Sequence, residues 1–311
     1  MRKMLYIVTA LGIATQCYSQ VYPHYSLYLL HPQIINYGAM AEKEIINGII
    51  LHKSQWIGFE GAPRINYFEL DIPVNSLKSV FGASFLMDKI GIHTYTDVSI
   101  RYAYRVIASE TSFIGFGTGL VLRFLKSQYT GVETYQTGDP VFSADVSSRP
   151  AFNVPFGFHY YTPSFYFGVS VPHLLFNREE FSGNTISIKH EFSPSFLHYH
   201  ILTGFKIALS EYVDFYPSLL VKAVTGAPVQ FDINMRFFYQ KIMGFAISFR
   251  TRSELSIMLN YKLNDYIHIG YAYNYNFNQL SEIGSSSHEV ALIVSIPRQK
   301  GRLKIDLPRF F

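Results

Sequence analysis

The sequence predicts an all-β protein: a transmembrane antiparallel β-barrel of about fourteen strands, with both termini periplasmic. Three observations predict it. Charged residues make up only 15% of the 311, against roughly 25% in an ordinary soluble domain, while aromatic residues reach 17%. The first residues read as an export signal. Apolar and polar residues then alternate with a period of two over runs of about ten residues or more, the length a strand needs to cross a bilayer.

Arg2 and Lys3 precede an apolar run from Met4 to Ala14, and small residues follow at Cys17 and Ser19. A basic start, a short apolar stretch and small residues describe a secretory signal peptide cut after Ser19. The run falls short of the roughly 20 residues of a spanning helix. Cys17 offers an alternative as a lipoprotein anchor, but Gln16 is a poor neighbour for it. Either way the single cysteine excludes a disulfide framework and a cysteine-based zinc site. The organisation that follows is 1–19 signal peptide, 20–43 periplasmic or lumen-plugging segment, 44–297 barrel, and 298–311 basic tail. That tail holds Arg298, Lys300, Arg302, Lys304 and Arg309 against Asp306. No Lys/Arg stripe crosses the body, so nucleic acid is not an expected partner.

The alternation is clearest late in the chain. Ile267, Ile269, Tyr271, Tyr273, Tyr275 and Phe277 fall on one face, and His268, Gly270, Ala272, Asn274 and Asn276 on the other. Val229, Phe231, Ile233, Met235 and Phe237 alternate in the same way with Gln230, Asp232, Asn234 and Arg236. Successive side chains on a strand point to opposite faces, so each run has one apolar and one polar or small face. Strands of a soluble sandwich alternate too, but they average about five or six residues.

This pattern predicts strands at 44–56, 66–75, 80–91, 93–108, 112–129, 150–162, 165–175, 198–210, 213–225, 229–240, 241–252, 254–264, 266–279 and 287–297. The number is even, and the long connections, 130–149, 176–197 and 280–286, all follow odd-numbered strands. Short turns on one side and long loops on the other are the asymmetry of outer-membrane barrels. At the Gly226-Ala227-Pro228 turn, a three-residue connection makes paired positions sum to 454. That places Lys222 opposite Asp232 in the lumen, and Val221–Ile233 and Leu219–Met235 as pairs facing lipid.

Catalytic chemistry has little foothold, and no cofactor or metal is expected. His198 and His200 share a strand face, with His190 upstream, but no carboxylate or cysteine set completes a metal site. Nothing resembles a nucleophile elbow, a phosphate-binding glycine loop or a paired-carboxylate motif. A Ser/His pair assembled in space stays open, but an enzyme is not the expectation. The Tyr271–Phe277 stripe reads as lipid-facing girdle rather than as a sugar platform.

Longer motifs carry a family resemblance. Gln55-Trp56-Ile57-Gly58-Phe59-Glu60-Gly61-Ala62-Pro63 resembles the Gln-Trp-x-Gly-Phe-x-Gly-Ala-Pro signature of PorP/SprF-family outer-membrane proteins of the Bacteroidota type IX secretion system. Gly168-Val169-Ser170-Val171-Pro172-His173-Leu174, Val221 to Asp232 around Gly226-Ala227-Pro228, Gly270-Tyr271-Ala272-Tyr273, Ser287-His288-Glu289-Val290 and the closing Pro308-Arg309-Phe310-Phe311 follow in order. The N-terminal part departs from the family pattern of Phe-Ser-Gln-Tyr and Asn-Pro-Ala-x-Ala-Gly, reading Tyr25-Ser26-Leu27-Tyr28 and Asn36-Tyr37-Gly38-Ala39.

The resemblance implies an outer-membrane barrel that supports secretion or cell-surface attachment of a specific cargo, such as a gliding adhesin, through the cargo's C-terminal sorting domain. It also implies periplasmic ring or peptidoglycan-associated partners, for which the basic tail is a candidate contact, besides outer-membrane lipid. Cargo contact is expected at the lumen and outer rim. The competing expectation is a diffusion channel or small-solute transporter, since a polar lumen serves both and the sequence leaves it open or plugged.

Overall fold

Period-two alternation becomes a wall with two faces. A computed structural model describes residues 23–74, 78–132, 144–182, 185–277 and 286–296; the leader, residues 20–22 and the basic tail lie outside the described residues. The first five strands are β1 (Ile46–Ser54), β2 (Arg64–Val74), β3 (Ser79–Ile90), β4 (His93–Ile107) and β5 (Phe113–Ser127). The middle of the wall is built from shorter pieces: β6 (Val146–Ser148), β7 (Ala151–Asn153), β8 (Phe156–Tyr161), β9 (Phe165–Val171), β10 (Phe176–Ser182), β11 (Thr185–Glu191), β12 (Tyr199–Phe205) and β13 (Ile207–Ala208). Six long strands complete it: β14 (Val213–Ala223), β15 (Gln230–Tyr239), β16 (Met243–Arg250), β17 (Glu254–Lys262), β18 (Ile267–Asn276) and β19 (Ser286–Ile296).

These segments make fourteen antiparallel spans, counting β6–β8 as one and β12–β13 as one and leaving out the β10–β11 hairpin. The ring closes where β1 pairs with β19, from Ile46↔Ile296 to Ser54↔His288. Closure pairs every edge, which is what a bilayer demands of a sheet. The long connections all share one rim. Turns such as 162–164, 240–242 and 263–266 form one rim, and the 55–63, 128–145, 172–198 and 277–285 connections form the other. β1 begins and β19 ends at the short-turn rim.

Outside, the wall is greasy: Ile50, Phe68, Phe85, Ile100, Leu122, Ile233 and Leu259 are exposed on successive strands. Tyr271, Tyr275 and Phe277 join them, while Gly270, Ala272, Asn274 and Asn276 face the other way and are buried. Large apolar surface of this extent around the wall needs lipid rather than water.

Prolines account for most departures from the expected strands. The span expected at 150–162 begins earlier, at Val146, and runs to Tyr161 in three pieces, because Pro150 and Pro155 lack the N–H that a ladder needs. The span expected at 165–175 stops at Val171, just before Pro172. The stretch 176–197, expected as loop, holds the β10–β11 hairpin, which stands beyond the long-loop rim and touches the wall through a two-residue parallel pairing with β6.

The register at 224–229 also differs. Lys222 pairs with Gln230 and Leu220 with Asp232, so paired positions sum to 452, and the connection, 224–229, has six residues instead of three. Val221 therefore meets Phe231, and Leu219 meets Ile233. The shift is even, so every side chain keeps its face. Lys222 still reaches Asp232 diagonally, Nζ to Oδ2 at 3.3 Å, with both side chains buried.

Candidate functional site

Residues 25–42 occupy the lumen. They form three short 3-10 turns, Leu27–Leu29, Pro32–Ile34 and Tyr37–Glu42, whose residues are almost all buried. The segment has neither a strand nor a helix period, so its backbone polar groups depend on the barrel's inward side chains. It starts at the long-loop rim, crosses the lumen and joins β1 at the short-turn rim.

Three polar clusters hold it. Near the long-loop rim, Glu289 accepts hydrogen bonds from the backbone N–H of Ser26 (2.9 and 2.8 Å) and of Leu27 (3.0 Å), and pairs with Lys53 at 2.9 Å. Beside it, Arg250 grips Asp232 with two bonds of 2.9 and 3.0 Å and reaches Glu254 at 2.8 Å. Three cations thus face three anions, Lys53, Lys222 and Arg250 against Glu289, Asp232 and Glu254, and all six side chains are buried. Buried charges survive only when paired and hydrogen-bonded in this way.

At mid-height, His31 Nε2 lies 2.7 Å from Glu69 Oε1, and Asn47 Nδ2 lies 3.2 Å from His31 Nδ1. Glu69 accepts and Asn47 Nδ2 donates, so the His31 proton sits on Nε2 and is donated to Glu69. Arg101 closes the cluster on Glu69 and Asp71 and stacks on the Tyr37 ring at 4.4 Å. His31, Glu69 and Asp71 have metal-ligand spacing, but the Arg101 guanidinium stands against both carboxylates, on the side where a metal ion would have to sit. Toward the short-turn rim, Arg105 and the Tyr161 hydroxyl both donate to the Ala41 carbonyl, at 2.6 and 2.9 Å.

Glycines make room for the plug. Gly115 and Gly117 on β5 and Gly157 on β8 lie against the Asn36–Gly38 backbone, where a Cβ would overlap plug atoms. A Cβ on Gly38 would sit 2.9 Å from the carbonyl oxygens of both Gly115 and Gly157. Asn36 locks the contact by donating to the Phe158 carbonyl at 2.9 Å and accepting from Gly38 N at 2.9 Å.

The residues singled out from the sequence fall mostly around one mouth. Gln55 to Pro63 form the β1–β2 connection on the long-loop rim. Trp56, Gly58 and Gly61 there have positive φ, and Gln55 N donates to Pro63 O at 3.0 Å. The turn is tied to its neighbours by Ile57 N to Ser286 O (3.0 Å) and Gly91 N to Gly61 O (2.8 Å). Gly226-Ala227-Pro228 turns at the same rim, Gly226 with φ 87°. His198 and His200 stand there too, lining a small cavity with His24 and Lys222. Arg298, Lys300, Arg302, Lys304 and Arg309 lie outside the described residues. Sequence reasoning missed the plug's partners Glu69, Arg101 and Glu289 and the glycine seat. The seat did leave a signal, in glycine at every second position of Gly115-Phe116-Gly117-Thr118-Gly119.

His24 makes the mouth pH-sensitive. Its Nδ1 accepts from Lys222 Nζ at 2.9 Å, and its carbonyl accepts from Lys53 at 2.6 Å. Burial, then Lys222, Arg250, Lys53 and His200 around it, push the imidazole well below its usual value. A histidine outside the lumen takes up a proton below about pH 6.5, one that seated His24 refuses, so seating is fully favoured above that pH and weakens as pH falls. Amide exchange at residues 24–29, corrected for intrinsic rates, is expected to speed up from pH 7.5 to 5.5. His24→Asn is expected to flatten part of that dependence.

Comparison with known proteins completes the picture. No curated protein matches the chain. Among solved structures it is similar to the CymD monoaromatic hydrocarbon channel, with TM-score 0.54 and 9% identity over 92% of this chain and 96% of that one. It is also similar to the toluene transporter TbuX of Ralstonia pickettii, with TM-score 0.48 and 9% identity over 85% and 92%. At 9% identity these likenesses concern the fold alone. The family model described as "Type IX secretion system membrane protein PorP/SprF" matches residues 18–294. The chain, a plugged barrel with its two Gly-Ala-Pro turns on one rim, thus belongs to the PorP/SprF family of type IX secretion system membrane proteins.

Proposed function

We propose that this barrel is an outer-membrane component of the type IX system that supports secretion or cell-surface attachment of a specific cargo by holding it at the rim, through the cargo's C-terminal sorting domain. The observation that carries the reading is the plug: residues 25–42 cross the lumen between the rims and are hydrogen-bonded to the wall near each rim and at mid-height. A lumen so filled suits an anchor better than a conduit. The family is one of membrane proteins of a secretion system rather than of enzymes, which agrees with the absence of a catalytic motif from the sequence reading.

In this proposal an N-terminal signal exports the chain and the long-loop rim faces outward. The 55–63 and 226–228 turns then meet cargo, a gliding-type adhesin being one candidate. The short-turn rim and the basic tail face periplasmic ring or peptidoglycan-associated components. The alternative, a diffusion channel or small-solute transporter, is compatible with the fold and requires the plug to leave.

A mild-detergent pull-down of the tagged barrel from native outer membranes, read by mass spectrometry, tests the proposal. Co-recovery of a large secreted protein with type IX components is expected. Recovery of the barrel alone, reproducibly and at good yield, would overturn the anchor reading. Deleting residues 298–311 is expected to lower recovery of the periplasmic components while the barrel still assembles.

A further inference from the structure

One lumenal cavity lies between the plug and the β2–β5 wall, in the half of the barrel nearer the long-loop rim. Its volume is about 120 Å³. A cavity of about 150 Å³ is known to hold benzene, so the space suits a single ring and little more. Most of its lining is apolar or aromatic, including Tyr25, Tyr37, Tyr67, Leu86, Val121 and Phe156. Tyr25 and Tyr67 stand with ring centroids 6.0 Å apart, tilted by 44°, one from the plug and one from the wall.

The polar groups at its edge select further. Asp97 and Arg123 form a two-bond pair, both bonds 2.7 Å, which leaves no net charge to attract an ion. Ser84 and Ser99 satisfy each other at 2.6 Å. His200 differs: its Nδ1 is buried and has no hydrogen-bond partner. In the neutral tautomer with its proton on Nε2, Nδ1 carries the lone pair and accepts. A ligand that completes the site brings one O–H or N–H donor on a ring. Ligand sites are commonly of this kind, apolar with a few placed polar groups.

We propose that this cavity binds a neutral phenol-type ring, with the hydroxyl donated to His200 Nδ1 and the ring held among Tyr25, Tyr67, Val121 and Leu86. The ring can come from a free small phenol or from a tyrosyl side chain of a polypeptide reaching in from the long-loop rim. The site goes beyond the secretion role and does not depend on it.

Fluorine NMR on the full mature barrel in lipid nanodiscs tests it, with 4-fluorophenol as probe. A saturable shift, distinct from the shift on partitioning into empty nanodiscs, is expected. Val121→Trp or Leu86→Trp, whichever retains the heat-resistant folded barrel, should weaken binding at least about tenfold by filling the cavity. Fluorobenzene should bind about fivefold more weakly than 4-fluorophenol, and His200→Leu should remove that difference, since one neutral hydrogen bond separates the two probes. Binding of N-acetyl-3-fluorotyrosinamide as well would assign the ring to a polypeptide source; binding of 4-fluorophenol alone would assign it to a free phenol. A shift that does not saturate, or that is equal in the wild type and the filled-cavity variant, would overturn the proposal.

Discussion

Gly117→Val is expected to unseat the plug's second half. A Cβ at this inward position of β5 would overlap the Tyr37 backbone and Gly38 N, and a backbone pinned by the Asn36 hydrogen bonds has little room to yield. Overpacking costs about 1–3 kcal/mol even where side chains can shift. Here the move also breaks the Asn36–Phe158 bond and the Tyr37–Arg101 stack. Amide protection at residues 36–40 should fall by at least about tenfold, the kinetic reading of some 1.4 kcal/mol. Phe116→Leu, one residue away on the lipid-facing side, should leave it unchanged. Equal protection in Gly117→Val and wild type would show that the close approach does not hold the plug.

Glu289→Leu is expected to release the first half. The substitution removes the acceptor of two plug N–H groups and of Asn274, and it strips Lys53 of its counter-ion in a fully buried site. Breaking a buried pair by deleting one partner costs about 3–5 kcal/mol, because an uncompensated charge remains. The amides of Ser26 and Leu27 should then exchange far faster, and Lys53→Met in the same chain should restore much of the loss. Failure of that double variant to recover would mean that the hydrogen bonds to Ser26 and Leu27, not the ion pair, carry the contact.

The barrel was legible because lipid on one side and a polar lumen on the other force a period of two, and because short turns must alternate with longer loops. Faces were therefore easier to read than register. Sums of 454 and 452 at the 224–229 turn put the same residues inside, and nothing in the hydrophobic pattern separates them; turn geometry decides. Lys222 and Asp232 still meet because long side chains reach a diagonal neighbour. Proline interruptions at Pro150, Pro155 and Pro172 were visible in the sequence, but alternation around them was strong enough to suggest unbroken strands. For residues 20–43 the sequence left a periplasmic and a lumen-plugging place open, and the shape and partners of 25–42 were not legible. A segment of 3-10 turns has no period to detect, and its partners come from strands up to 263 residues away, as Ser26 and Glu289 show.

The account stands or falls on the closed lumen. Conductance of the purified wild-type barrel in planar bilayers is the direct measurement. Silence is predicted for the wild type, with openings appearing in Glu289→Leu once the first half of the plug is freed. A steady open pore in the wild type would contradict the account and favour a diffusion channel.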